Sequence, residues 1–341
     1  MTTQTLPVRL KQLLTERTTT SLYPRYEGSN ICTWIGFKHV NYLVEEAVLQ
    51  HLRGAGLPAR HLFEEYGLGL DFVDLDTRIA HALHLDDLVT AEVTPTTAEG
   101  AGTLTFRVTL SVQPAGGSEP VRAATSTVRT ILVPDDYLDT SVQPPAELEP
   151  FTHRTPPAPA GVRESVAAVR PADTTVLSEG RGVTGGDPVL DHLTSGANAF
   201  GWKWRIPYPY CHFTRRIQMS GYLRQMEEVV DLFLADRSIS IRELLDDRRW
   251  IPVVPRSQVR ILEHALMEED LYTVYTVEEV FKEHTYTSRM DCYVVRDGQL
   301  VHTATGRITH GYAVIADRRD WSLVGFDERV LRALSGAPAA G

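Results

Sequence analysis

The chain has 341 residues, of which 43% are hydrophobic and 23% charged, and a formal net charge of −10. This is the makeup of a globular protein with material for two domain-sized cores. The acidic balance argues against nucleic-acid binding, which rests on Lys and Arg neutralising phosphates.

No run approaches the length of about eighteen apolar residues that a membrane span needs. The N-terminal stretch MTTQTLPVRLKQLL has neither an apolar core nor a small-residue cleavage site. Cys32, Cys211 and Cys292 form neither a metal spacing nor an even framework. The expectation is a reduced, cytoplasmic protein without a metal or other cofactor.

In chain order, an extended segment leads into a long helix over 40–54, where Leu43, Ala47 and Leu52 recur at helical spacing. A short helix follows in ARHLFEEYG. Strands are predicted in DFVDLDTRIAHAL, LVTAEVTPT, TLTFRVTLSV and VRAATSTVRTILV, with PAGGSEP (114–120) as a turn. Residues 134–161 are rich in Pro and lack a periodic apolar pattern, so they read as an extended linker. A second long helix over 220–236 carries Tyr222, Met226, Val229, Val230 and Phe233 as its apolar stripe. SIRELLDDRR is a second short helix. Strands return in WIPVVPRSQVRIL, DLYTVYTVEEVF, TYTSRMDCYVV and LVHTATGRITHGYAVI, with the RDGQ hairpin turn at 296–299.

The outline occurs twice. VRAATSTVRT (121–130) matches VHTATGRITH (301–310), HVNYLVEEAVLQHL (39–52) matches MSGYLRQMEEVVDLFL (219–234), and TRIAHALHLDDL (77–88) matches VRILEHALMEEDL (259–271). Tyr42 pairs with Tyr222, Glu45 and Glu46 with Glu227 and Glu228, and Arg78 with Arg260. Preserved order over several segments is the mark of an internal repeat. Each copy is an α+β unit, one helix followed by an antiparallel sheet. The expected division is 1–140, a linker and lead-in segment at 141–195, and 196–330.

RYEGSNICTWIGFKHVNYLVEEAVLQHLRGAGLP (25–58), HLDDLVTAEV (84–93), RIPYPYCHFTRRIQMSGYLRQMEEVV (205–230) and LMEEDLYTVYTV (266–277) resemble the hot-dog fold of acyl thioesterases and dehydratases, nearest the 4-hydroxybenzoyl-CoA thioesterase-like group. The resemblance implies a fused double hot-dog, an acyl-CoA or acyl-carrier-protein substrate, and a monomer with an internal pseudo-dimer or a homodimer of it. It also implies a carboxylate in the loop after an opening Tyr, or on the helix. At the loop position this chain has Asn30 after Tyr26 and His212 after Tyr208. The usual acid is therefore missing from both loops, as it is in the enediyne polyketide thioesterases, and a polyketide or fatty tail is the expected substrate type.

The remaining catalytic candidates are Glu45, Glu46, Glu227, Glu228, His39 and His212. Adjacent helix residues point about 100° apart, so one Glu of each pair at most can face a pocket; the ordinary alternative is a solvated helix face. The preferred pairing is His212 with Glu45 or Glu46, and its mirror is His39 with Glu227 or Glu228. Asn30 and Asn41 are candidates to orient a carbonyl, Asn41 alternatively being a helix N-cap. Tyr42 and Tyr222 are further substrate contacts, and Arg215 and Arg216, with Lys203 and Arg205, form a basic spot suited to a phosphopantetheine phosphate. Cys211 beside the loop His suggests a nucleophile, a reading ranked last. Thioester hydrolysis is the leading function, dehydration or hydration of a 3-hydroxyacyl or enoyl thioester the second, and a non-catalytic acyl binder the third.

Overall fold

Both copies build a five-stranded antiparallel sheet beside one long helix. The computed structural model describes residues 5–114, 119–135, 143–157, 163–165, 182–211, 214–317 and 321–336. The chain divides into two units, Met1–Ala158 and Pro159–Gly341.

In unit 1, helix α1 (Leu6–Thr15) and strand β1 (Thr18–Leu22) precede the central helix α2 (Phe37–Gly54) and the short α3 (Ala59–Tyr66). Strands β2 (Leu68–Ile79), β3 (Val89–Pro95), β4 (Leu104–Val112) and β5 (Val121–Pro134) follow, and the sheet runs β1-β3-β4-β5-β2. Helix α2 buries Val40, Leu43, Val44, Ala47, Val48 and Leu52, the stripe that the 3.6-residue period predicts. Each Val or Leu among them contributes about 1.5–3 kcal/mol on burial. Strand β4 alternates buried and more accessible positions along its length, as a sheet with one covered face requires. His51 on α2 is buried and satisfied: Nδ1 lies 2.9 Å from Thr18 Oγ1 and Nε2 2.9 Å from Leu13 O, which ties α1 and β1 to the helix.

In unit 2, the short strand β6 (Arg163–Ser165), helix α4 (Pro188–Thr194) and strand β7 (Ala199–Arg205) lead to the central helix α5 (Met219–Asp236) and α6 (Ile241–Arg248). Strands β8 (Trp250–Ile261), β9 (Asp270–Phe281), β10 (Thr285–Arg296) and β11 (Gln299–Ile315) come next, then β12 (Trp321–Val324) and α7 (Glu328–Ser335). The sheet order is β7-β9-β10-β11-β8, the order of unit 1 element for element, with β6 and β12 added along β11. A capping box between Ser240 and Glu243 starts α6. The predicted hairpin turn is present, with Asp297 at φ 51° and Gly298 at φ 71°.

The two long helices keep an offset of 182 along their whole length. A 3-10 turn precedes each, Tyr26–Gly28 and Tyr208–Tyr210, and isolated bridges recur as Ser29 with Ile35 and Cys211 with Ile217. Part of the segment read as linker packs within unit 1: Leu148 and Phe151 are buried, and His153 N donates to Leu132 O. Part of the lead-in segment packs in unit 2, where Val189 and Leu190 of α4 are buried. The rest of 141–195 lies mostly outside the described residues.

Candidate active site on the central helix

The two acids of α2 have separate fates. Glu46 accepts from Arg53 Nη1 at 2.7 Å and from Gln50 Nε2 at 3.3 Å, a surface ion pair one to two turns along the helix. Glu45 has no hydrogen-bond or ion-pair partner among the described residues. It keeps some accessible surface, yet burial pushes its carboxyl up to about 8. Desolvation is the whole cause: with no cation or donor beside it, the charged form loses its water and gains nothing in return. Such a carboxyl holds its proton at neutral pH and is a strong base once it gives that proton up.

The matching pair in unit 2 is arranged differently. Glu228 accepts from Tyr210 Oη at 3.2 Å, and Arg224 stands 5.9 Å from the Tyr210 ring. Glu227 is itself engaged in an interaction. An unpartnered acid on the helix is therefore a property of Glu45 among these four.

The other candidates sit as follows. His39 is buried, with its ring 5.0 Å edge-on from that of Tyr42, in close contact with Gly28 of the preceding loop. A Cβ on Gly28 would come within 2.7 Å of His39 Cγ, so glycine is what allows loop and helix to approach. Unit 2 solves the same approach in reverse: Gly221 takes the helix position of His39, and its Cβ would meet Ile217 Cγ1 at 2.8 Å and Tyr210 O at 3.0 Å. Asn30 is exposed and closes its own loop, its Oδ1 accepting from Ile31 N at 2.9 Å. The N-cap of α2 is Gly36, so Asn41 is not the cap. Its Nδ2 donates to Phe37 O at 2.9 Å, and its Oδ1 accepts from Thr77 Oγ1 at 2.6 Å, which also reaches Ser126. This buried chain ties helix to sheet; unit 2 ties its helix to its sheet from other positions, through Gln225 of α5 and Thr273 of β9.

Tyr222 is fully buried in the core of unit 2, where burial raises its hydroxyl pKa. His212 lies outside the described residues. The basic spot does not assemble as expected. Lys203 is 0% exposed, held by Asp187 at 3.0 Å and Asp270 at 3.3 Å, and Arg205 pairs with Glu268 at 2.7 Å. Arg216 is buried, which leaves Arg215 as the exposed member. Burial pushes the Cys211 thiol up to about 11, away from the thiolate that a nucleophile requires. Among the described residues, no group of three or more His, Cys, Asp or Glu is arranged to hold a metal, and no helix is long and apolar enough to cross a membrane.

A long helix laid beside a sheet of order β1-β3-β4-β5-β2, repeated in one chain, is the hot-dog fold twice over. The chain has the double hot-dog fold. Among solved structures it is similar to a protein assigned as an oleoyl thioesterase from Lactobacillus plantarum: 12% identity, 87% of this chain and 96% of that one covered, TM-score 0.52. It is similar also to the 12:0-ACP thioesterase from Umbellularia californica: 11% identity, 90% and 98% covered, TM-score 0.52. At such identities the likeness is one of fold. No family model matches the chain, and no curated protein matches it significantly in sequence.

Proposed function

We propose that the chain hydrolyses an acyl thioester, carried on coenzyme A or an acyl carrier protein, with Glu45 as the group that activates water. The observation that carries this reading is Glu45 itself: an acid with no partner among the described residues, on the central helix of a fold shared with acyl thioesterases, its carboxyl held near 8. A base whose conjugate acid titrates just above neutrality is matched to removing a proton from water without being permanently neutralised. The carbonyl oxygen, which gains negative charge as water adds, needs donors; exposed Asn30 in the loop before α2 is the nearest candidate by sequence. Exposed Arg215 is suited to a phosphate of the carrier. A polyketide or fatty tail fits this reading.

The same protonated acid favours a second reading, dehydration of a 3-hydroxyacyl thioester, in which Glu45 would donate its proton to the departing hydroxyl while a base takes the C2 proton as the double bond forms. One experiment separates them. The protein is incubated with acyl-CoA and 3-hydroxyacyl-CoA of several chain lengths while free thiol and enoyl absorbance are followed. Thiol release lost in Glu45→Gln and retained in Glu46→Gln supports hydrolysis through Glu45. Enoyl formation without thiol release supports dehydration. Neither signal leaves an acyl-binding protein and overturns both enzymatic readings.

A further inference from the structure

The sheet of unit 1 turns one face away from helix α2, and that face is set with arginine. Register places its outward positions on β2, β5 and β4 in rows: Asp74 beside Arg129 and Thr105, Asp76 beside Thr127 and Arg107, Arg78 beside Thr125 and Thr109, and Arg122 beside Ser111. The alternate residues Leu75, Thr77, Phe106, Val108, Ser126 and Val128 are buried, Thr77 and Ser126 in the tie to α2, so the rows point away from the core. Arg78, Arg107, Arg122 and Arg129 are all exposed. Arg78, Arg107 and Arg122 have no hydrogen-bond or ion-pair partner among the described residues, and Arg129 reaches Asp74 only at 3.9 Å. The residues between them are short Thr and Ser, above which the longer arginines stand. From Arg122 to Arg129 the stripe runs about 20 Å along β5.

The fold does not require bare arginines there, because unit 2 provides a control. Met290 stands opposite Tyr275 and Gly306 in unit 2 just as Val108 stands opposite Val93 and Ser126 in unit 1. Arg289 therefore takes the place of Arg107, Arg307 that of Thr127, and Asp291 that of Thr109. In unit 2 the charge is answered on the spot. Arg289 Nε lies 3.0 Å from Asp291 Oδ2 and 3.6 Å from Glu278 Oε1, and Arg307 Nε lies 3.0 Å from Glu278 Oε2. Unit 1 keeps the arginine and has a threonine where the neutralising aspartate would stand. The whole chain has 44 acidic and 34 basic residues, so carboxylates are not scarce. A row of like charges left unanswered repels itself, a cost that carboxylates from outside would remove.

We propose that this face of unit 1 docks an acidic helix of a partner protein, whose carboxylates pair with Arg78, Arg107, Arg122 and Arg129. The length fits: about 20 Å is about 13 residues of helix, over which acids three or four residues apart line one side. It exceeds the reach of a single phosphate or diphosphate. The rows carry no apolar side chain to enter a bilayer and no aromatic ring to stack on a base. A nucleic acid would run past the stripe into the field of a chain with net charge −10. A second copy in a two-fold contact would set this excess of cations against itself. The surface is independent of thioester chemistry, and binding there is read without hydrolysis.

The test titrates the full-length protein into a fluorescein-labelled helical peptide with Glu along one side, followed by anisotropy at low and at physiological salt. The same peptide with Gln for Glu is the control. Arg107→Gln combined with Arg122→Gln removes two exposed charges and keeps most of each stem; Arg60→Gln removes an exposed charge on α3, outside the stripe. Saturable binding of the Glu peptide alone, weakened about tenfold in the double variant, unchanged in Arg60→Gln and weaker as salt rises, is the expected result. No saturable binding at low salt, or equal weakening by Arg60→Gln, overturns the proposal. So does capture of phosphatidylserine vesicles or single-stranded RNA in preference to the peptide, or a dimer in sedimentation that the double variant breaks, since each assigns the stripe to a different occupant.

Discussion

Replacing Glu45 by Gln should leave the protein equally stable in acid and make it more stable in alkali. The carboxyl is raised from 4.5 to about 8 in the folded chain, so folding favours the protonated form. Below pH 4.5 both folded and unfolded states hold the proton and nothing is lost. As pH rises the unfolded chain ionises first, and stability falls until the folded carboxyl ionises too, near 8. The full span is worth about 5 kcal/mol at 1.36 kcal/mol per pKa unit, of which about 3 kcal/mol is already felt at pH 7. Because Glu45 keeps some accessible surface, the realised figure lies below this ceiling. Gln has the same shape and does not titrate. The assay is chemical unfolding at pH 4, 7 and 9, comparing midpoints of wild type and Glu45→Gln, with Glu46→Gln as a control whose exposed ion pair should shift stability by less than about 1 kcal/mol at any pH. A carboxyl carbon resonance that titrates near 8 in wild type and vanishes in Glu45→Gln gives the same answer directly. Parallel stability curves, or a Glu45 resonance that titrates near 4, would refute the reasoning.

The activity should follow the same proton. If Glu45 is the base for hydrolysis, thiol release rises with pH and levels off above about 8, and Glu45→Gln lowers kcat by about 10² or more; a rate that instead falls above pH 8 marks Glu45 as an acid and favours dehydration. Gly28→Ala should cost about 1–3 kcal/mol through its clash with His39, and adding His39→Ala should recover part of that loss in a double-mutant cycle; additive effects would show that loop and helix do not meet there. Lys203→Met strips a fully buried pair of its cation and should destabilise unit 2 by about 3–5 kcal/mol, read by denaturant unfolding, with faster amide exchange in α4; an unchanged midpoint would mean that Asp187 and Asp270 do not need the ammonium.

Much of the architecture was legible in the sequence because periodicity and repetition are backbone-scale signals. The long helices, their short successors, the strands of both sheets and the RDGQ turn stand where the pattern put them, with the helices starting up to three residues earlier. The helix lead-ins were harder: Gly36 and Gln218 are the N-caps, and neither has the side-chain acceptor that usually announces a cap. Glu45 and Glu46 were visible as a pair, but which one loses its water depends on the helix's rotation in the folded chain. Lys203 looked like a surface cation, since nothing local in WKWR reveals that Asp187 and Asp270 will enclose it. The buried tyrosine and histidine cluster of unit 2, Tyr275, Tyr286, His310 and Tyr312, carries a sequence signal of its own: polar aromatic residues recur at strand-compatible spacing in YTVYT, TYTS and THGY, where the first copy has Val, Leu and Phe.

That last contrast is the most general lesson of the molecule. A chain that folds the same unit twice separates, at each position, what the fold requires from what was added to it. Where both copies agree, the cause is packing or backbone geometry: the 3-10 turn before the helix, the bridge that follows that turn, and the acidic side chain of Asp87 or Glu269 that accepts from the backbone of His84 or Leu266. Glycine at the loop–helix crossing shows that even a required contact has two solutions, Gly28 beneath His39 or Gly221 beneath the Tyr210 carbonyl. Where the copies differ without a packing reason, selection for something other than folding is the remaining physical explanation. Two such differences stand out: Glu45, an acid with no partner among the described residues, whose counterpart is engaged, and the buried tyrosine hydroxyls of unit 2, whose counterparts are hydrocarbon. Each imposes a desolvation cost on its own unit that the other unit avoids, and a cost borne by only one of two equivalent copies is where function should be sought.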